Sequence, residues 1–519
     1  MEEWDHVVVG AGSAGCVVAN RLSAAGRRVL LLEAGGHDRR PFVHLPIGYG
    51  RTFTQAAVNW RYETQPEPGL DGRRIYQPRG KVMGGSSSIN AMVWVRGHPS
   101  DFAAWGPGWS WPDVRPWFER AEETIDVVSM EAGIHPLCHR WLATCDALGL
   151  ARTGDFNARL EGVGIYRNTM RGGMRLSAAR AHLGGAARRR ANLRIVRRAH
   201  ATRIAFEGRR AVGVEYVRGG RSETARAREV IVSAGAFNTP QLLQLSGIGP
   251  AALLRSHGIE VLHDAPVGEG LVDHLFIDTS LRVRHPTLNP ELTRRARLVR
   301  HALAYALRRS GPLSMGVNQA GGFVWTGDGE IPDMQVYFAP ISYRRPAPGE
   351  TGPIRLDAFD GVSMSAQPTR PTSRGHVRIA SADPFDAPLI QANYLASEGD
   401  RAAMLRGARL LRRMAATAPL SDLVEEEVVP GAGVEGDEAW LADIRARAGT
   451  VYHPVGTCGM GRVTDGAGRV TGIDGLRVVD ASLFPDITSG NTNAPTVMVA
   501  EKIAAGMIAT GTIAGPAFS

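Results

Sequence analysis

The first 36 residues switch twice between strand-like and helix-like patterning. Residues 6–9 form an apolar run, the turn Gly10-Ala11-Gly12-Ser13-Ala14-Gly15 follows, a helical pattern continues through Arg21 and Leu22, and a second apolar run over 28–32 ends in Glu33. Two short apolar runs around a glycine turn and a helix predict one βαβ unit. Further along, 191–195, 202–206 and 211–217 alternate like short strands, and 229–232 predicts a buried strand entering the tight turn Ser233-Ala234-Gly235. Residues 290–310 set Leu292, Val299 and Leu303 among Arg294, Arg295, Arg297, Arg300, Arg308 and Arg309, a basic amphipathic helix that could lie on a membrane but is read in preference as an ordinary solvated face. Strand-like runs alternate with Pro/Gly turns from 312 to 395. A helix is predicted over 400–414, then a strand at 476–480 and a last helix at 494–508. No internal repeat is present, and no run of 18 uncharged apolar residues suggests a membrane span.

Composition sharpens this picture in one respect. Glycine contributes 62 of 519 residues, well above the usual share of about 7%, so many backbone positions need positive φ or close approach to another group. The net charge of +9 carries less information. Lys81 and Lys502 are the only lysines, and the arginines are interspersed with acids along the whole chain, which argues against a nucleic-acid partner. Cys16, Cys138, Cys145 and Cys458 show neither metal-ligand spacing nor a disulfide framework, so no metal is expected and a reducing, cytoplasmic setting is. The chain starts almost directly on its first strand, with no secretory signal pattern.

The chemistry concentrates in the glycine-rich segments. In the first turn Gly10 allows the tight bend, Gly12 lets backbone approach a pyrophosphate, and Gly15 permits close packing of helix on strand. Glu33, at the end of the second strand, can accept hydrogen bonds from ribose hydroxyls. A second cradle is Gly84-Gly85-Ser86-Ser87-Ser88, whose N–H groups and hydroxyls are read as donors to an anion or to polar edges of a ring; Ile89 and the apolar run Met92-Val93-Trp94-Val95 should bury it.

Taken with RGKVMGGSSSIN at 79–90, Arg96-Gly97-His98, SAGAFNTPQLLQLSGIGP at 233–250, PTSRGHVRI at 371–379, HPVGTC at 453–458 and LRVVDASLFPDITSGNTNAPTVMVAEK at 476–502, the chain resembles the glucose–methanol–choline (GMC) oxidoreductases, most of all their choline-dehydrogenase-like branch. The resemblance implies a mixed α/β (α+β) fold, with a Rossmann-like FAD-binding domain interleaved with a substrate-binding domain on a mostly antiparallel sheet. The first would take residues 1–150, 190–289 and 450–519, the second 151–189 and 290–449. FAD would lie on Gly10, Gly12, Ser13, Ala14, Gly15, Glu33 and Ala34, with Ala201 at the adenine. Gly84, Ser86, Asn90, Ala91, Met92 and Val93 would line the pyrophosphate and flavin, and Asp480, Ala481, Asn491 and Thr492 would close around the ring. The implied catalytic pair is His453, as base for the alcohol proton, and Asn491, orienting the same oxygen while hydride passes to flavin N5.

Departures from the family pattern carry expectations of their own. Ile89 stands where choline oxidases carry a flavin-linking histidine, so FAD is expected to be non-covalent. Ala91 replaces a serine. In Val267-Gly268-Glu269-Gly270-Leu271-Val272-Asp273-His274, Gly270 replaces an asparagine. Between Glu122 and Gly149 the chain is shorter than its relatives and lacks their glycine-rich turn, which predicts an altered or more open entrance. The expected partner is a small alcohol, with the electron acceptor open among oxygen, a quinone and a carrier, and membrane association is not expected. Three other readings stand beside this one: a nicotinamide-dependent dehydrogenase, which leaves the later motifs unexplained, a non-redox hydroxynitrile-lyase-like relative that keeps FAD without using it, and a basic binding protein for membrane or nucleic acid, which salt-dependent retention would reveal.

Overall fold

The computed structural model describes residues 3–344 and 354–511. The outermost residues of the expected first domain, 1–2 and 512–519, and residues 345–353 of the second lie outside it. Strand β1 (Glu3–Val9) leads through the glycine turn into helix α1 (Ser13–Ala24) and strand β2 (Val29–Glu33), the predicted unit. β1 pairs in parallel with β2 on one side and with β3 (Arg221–Val232) on the other. Leu193–Arg197 extends the parallel part beyond β2, and Leu476–Val478 adds a further parallel strand beside the end of β3. Two antiparallel strands, Ala199–Glu207 and Arg210–Arg218, complete this seven-stranded sheet.

Central strands covered on both faces need continuous apolar runs, and Val7, Val8, Val9, Leu30, Leu31 and Leu32 are all buried. Helix α2 (Gly235–Leu245) follows β3, and helix α3 (Asn493–Ala509) packs against α1. Their contact includes the fully buried Glu501 carboxylate, which takes a bidentate pair from Arg21 at 2.7 and 2.8 Å.

The second sheet also has seven strands. Its main path runs Val424–Val429, β4 (Leu275–Val283), Gly361–Pro368, Met334–Ala339, Ala320–Val324, Gly162–Ile165, all antiparallel to their neighbours, with Gly449–Thr450 paired to the start of β4. The helix Glu398–Ala415 lays Met404, Leu411 and Met414 into its core, and Trp141 stacks on Phe338 with ring centroids 5.5 Å apart.

Sheet pairing and core packing cross the sequence division at several places. β4 lies within 190–289, assigned to the first unit, yet it runs inside the second sheet between Val424–Val429 and Gly361–Pro368. The helix Pro136–Ala147 joins the second core through Leu137, Trp141 and Leu142. Residues 178–188, placed with the second unit, pack instead on the first core through Ala178, Ala179, Leu183 and Ala187. An amphipathic segment carries no local mark of which of two cores will receive it.

Candidate active site

The two glycine-rich segments, some seventy residues apart, meet in space. Gly10 has φ +98°, and a Cβ on it would lie 2.5 Å from the Ser233 carbonyl oxygen. A Cβ on Gly15 would lie 1.9 Å from the Gly10 carbonyl oxygen, so only glycine lets α1 sit this close to the turn. Gly12 differs, because a Cβ there meets nothing nearer than 3.9 Å and would project into free space. On the second segment, a Cβ on Gly85 would come within 2.7 Å of the Gly12 Cα, and the Gly84 N–H donates to the Ala11 carbonyl at 2.7 Å. Gly12 is the N-cap of α1 and offers no side-chain cap, leaving the helix's first N–H groups available to an anion.

Glu33 is buried at the end of β2, where its two oxygens accept from the N–H groups of Ala11 (2.9 Å) and Gly35 (2.7 Å). Burial pushes its carboxyl up to about 7, and those two donors offset only part of the effect. Each oxygen keeps lone-pair capacity for a hydroxyl donor from a ligand.

Only one of the three expected serine donors faces the space between the segments. Ser87 donates to the Gly84 carbonyl (2.5 Å) and Ser88 to the Met83 carbonyl (2.7 Å), so both hydroxyls are spent within the loop. Ser86 lines the cavity, accepting from the Gly80 N–H at 3.2 Å and keeping its own proton for a ligand. Behind the loop the buried Arg175 guanidinium binds the Val43 and Ser87 carbonyls and the Asn90 Oδ1 atom. Burial lowers Arg175 to about 9.

A cavity of about 1420 Å³ runs from these loops to the second sheet. Ordinary ligand pockets span about 300–1,000 Å³, so this one has room for an extended dinucleotide together with a substrate. Of the residues expected to touch a cofactor, Gly10, Gly12, Ser13, Ala14, Glu33, Ala34, Ser86, Asn90, Ala91, Met92, Val93, Ala201, Asp480, Ala481, Asn491 and Thr492 line it, as does His453. Gly15 and Gly84 do not: Gly15 is a packing glycine, and Gly84 turns the loop at φ +89° so that Gly85 takes the wall position. Met92 (φ +67°) and Tyr452 (φ +70°) are left-handed non-glycine residues in the wall, backbone strain of the kind that gathers at functional sites. All four Asp480 hydrogen bonds go to protein, to Gly235, Thr239 and Ser482, so its carboxylate ties the start of α2 to the C-terminal segment.

At the far end of these loops a chain of hydrogen bonds runs through two imidazoles. His274 Nε2 lies 2.9 Å from the Thr369 carbonyl oxygen, which can only accept, so that nitrogen carries the proton. His274 Nδ1 is then the acceptor in its 3.0 Å contact with His453 Nδ1, which makes His453 the donor there. The His453 Nε2 atom is left with a free lone pair, and the Asn491 amide nitrogen donates to it at 3.1 Å. Gln335 sets the direction of that amide by donating to Asn491 Oδ1 at 3.4 Å, and Gln367 donates to Gln335 in turn. Burial holds both histidines below the usual imidazole range, His453 well below it, helped by the neighbouring His274 and the Arg79 guanidinium. Both rings are therefore neutral near pH 7, as the tautomer argument requires.

Asp273 fixes the pair by its backbone. One carboxylate oxygen accepts from the N–H groups of His274 (2.9 Å) and His453 (2.8 Å), and the other from Tyr394, Thr450 and Gln77. Asp273, His274 and Gln335 carry this geometry, and sequence reasoning gave none of them a role. The adjacent Asp-His dipeptide was visible, but its 179-residue separation from His453 was not bridged by any local pattern.

The wall facing the second sheet includes Tyr337, Ser365 and Phe276, while Phe53 packs edge-on against Tyr76 (5.4 Å) and Tyr452 (5.1 Å). Much of the aromatic lining thus comes from residues 49–76 and 452, outside the range expected to supply the pocket.

A glycine turn opening a helix, a carboxylate closing the second strand, and one long cavity ending on a neutral imidazole define a cofactor-dependent enzyme. The chain belongs to the GMC oxidoreductases: residues 4–276 match the N-terminal domain of that family and residues 371–500 its C-terminal domain. It is 40% identical to the alcohol dehydrogenase [acceptor] of Pseudomonas putida, covering 96% of this chain and 95% of that one. It is 38% identical to the oxygen-dependent choline dehydrogenase of Photobacterium profundum, over 96% and 92%. Among solved structures, pyridoxine 4-oxidase from Mesorbium loti superposes with a TM-score of 0.86 at 29% identity, covering 97% of this chain and 99% of that one.

Proposed function

We propose that this protein is an FAD-dependent oxidoreductase that converts an alcohol CH–OH group to a carbonyl, with His453 as the base and Asn491 holding the substrate oxygen. The hydrogen-bond chain Thr369–His274–His453–Asn491 carries this reading, because it presents an unprotonated Nε2 atom beside an amide donor. The relatives described above are named as dehydrogenases and oxidases, in keeping with redox rather than lyase chemistry.

The residues fit the cofactor. The open face of Gly12, the uncapped start of α1 and the hydroxyl of Ser86 suit a pyrophosphate, and Glu33 suits ribose hydroxyls. Ile89 offers no atom for a covalent link, so the cofactor is held non-covalently. Bound FAD supplies the hydride acceptor. The protein's part is to take the proton: an alcohol hydroxyl bridging His453 and Asn491 donates to Nε2 and accepts from the amide. His274 and Asp273 keep the imidazole in the tautomer and orientation that can receive it.

We assign cofactor binding to the elements around the first sheet and the substrate side to those around the second, with β4 in the latter. The four buried, unpaired cysteines are in keeping with a reducing cytoplasmic setting. Among the described residues no helix is long and apolar enough to cross a membrane. Replacing His453 by Ala should lower anaerobic flavin reduction by about 10²–10⁴-fold while FAD stays bound. An unchanged rate in a fully loaded variant refutes the assignment.

A further inference from the structure

The inward side of the helix Arg295–Arg308 is polar, formed by Arg297, His301 and Tyr305, while Arg300 reaches back to Glu291, the partner of Arg297 and His301, from an exposed position. Arg297, Arg300 and His301 pair with Glu291 at 2.7, 3.1 and 2.6 Å, and Tyr305, its one buried residue, donates to the Gly173 carbonyl at 3.1 Å. The opposite face carries Leu298, Val299, Leu303 and Leu307, exposed by 38, 58, 58 and 81%. These are four of the nine exposed large apolar side chains among the described residues. Val299, Leu303 and Leu307 recur at every fourth position and so form one stripe. The sequence pattern was read as a solvated polar face over an inward apolar one. In the structure the apolar residues face out as well, and the inward side is taken by Arg297 and His301, which turn to Glu291 on the preceding helix.

Arg294, Arg295 and Arg308 have no carboxylate partner among the described residues and stand at the two ends of the stripe. An isologous contact between two copies would bring these like charges together. A bilayer with anionic headgroups satisfies both features, taking the leucines into the acyl boundary and the guanidiniums at the phosphates. We infer that this helix docks the enzyme on an anionic membrane surface as a peripheral protein. The preceding helix connects toward the cavity: Leu292 packs against a buried cluster containing Ile341, and so does Tyr49, which lines the cavity wall.

The test is flotation of the FAD-loaded protein with vesicles of phosphatidylcholine alone or mixed with phosphatidylglycerol. Binding should require the phosphatidylglycerol, weaken with salt, and fall by about tenfold or more in the double variant Leu303→Glu, Leu307→Glu. Solution oxidation of a water-soluble alcohol should be unchanged in that variant. Protein that never floats, or floats equally well on the neutral vesicles and with both glutamates, overturns the inference. So does a dimer in light scattering that the same variant converts to monomer, which would identify the occupant as a second copy.

Discussion

Replacing His274 by Leu removes the acceptor that sets the His453 tautomer and touches nothing that would contact substrate. In the native site the His453 Nδ1–H points at His274 Nδ1 across 3.0 Å, with both side chains buried. Without that acceptor the N–H is orphaned, at a cost of about 1–3 kcal/mol, unless the proton moves to Nε2. A shift of that size in the tautomer equilibrium lowers the competent fraction about 5–150-fold. Anaerobic stopped-flow reduction of the bound flavin should therefore slow by that factor, with FAD content unchanged. Asn at position 274 places an amide oxygen near the former Nδ1 position and should recover most of the rate. A Leu variant that keeps full cofactor and full rate would refute the tautomer argument. An Asn variant as slow as Leu would show that the ring matters for packing alone.

Because burial holds His453 well below the imidazole range, its neutral form persists as pH falls through 6.5. Flavin reduction should hold its plateau there and decline only at lower pH, whereas an inflection near 6.5 would contradict the buried base. The glycines make a paired prediction: Gly12→Ala should fold with a near-native melting temperature yet retain little FAD, while Gly15→Ala, with its Cβ against the Gly10 carbonyl, should cost about 1–3 kcal/mol or more and lose soluble protein. Glu33 is raised from 4.5 to about 7 in the fold, so the native state binds the extra proton between those values. Stability of the cofactor-free protein should then fall as pH rises through that window, by up to about 3 kcal/mol, and urea unfolding of Glu33→Gln should lose this slope.

How much of this was legible depended on how local each constraint is. The β1–α1–β2 unit could be read because its glycines and periodicities are contiguous, and the motifs around His453 and Asn491 marked the two residues that the fold brings to 3.1 Å. Positions decided by long-range contact could not. β4 reads like any amphipathic strand, and nothing in it announces the second sheet. Ser87 and Ser88 look like free donors until the loop folds back on its own carbonyls. At Gly270, where the family pattern has asparagine, a Cβ would fall 2.3 Å from the Arg462 guanidinium, which occupies that space and donates to the Gly456 carbonyl within the HPVGTC segment. The outward leucines of the basic helix were hidden for the same reason, since the helix is seated by distant partners, Glu291 for His301 and the Gly173 carbonyl for Tyr305.

If the cavity joins FAD to a base that deprotonates an alcohol, an alcohol must reduce the flavin. Anaerobic mixing of the purified yellow protein with a panel of aliphatic, aromatic and amino alcohols tests it most directly. At least one alcohol should bleach the flavin's visible absorption and yield an equal amount of carbonyl product, and His453→Ala should suppress both. A fully loaded protein whose flavin no alcohol reduces would contradict it.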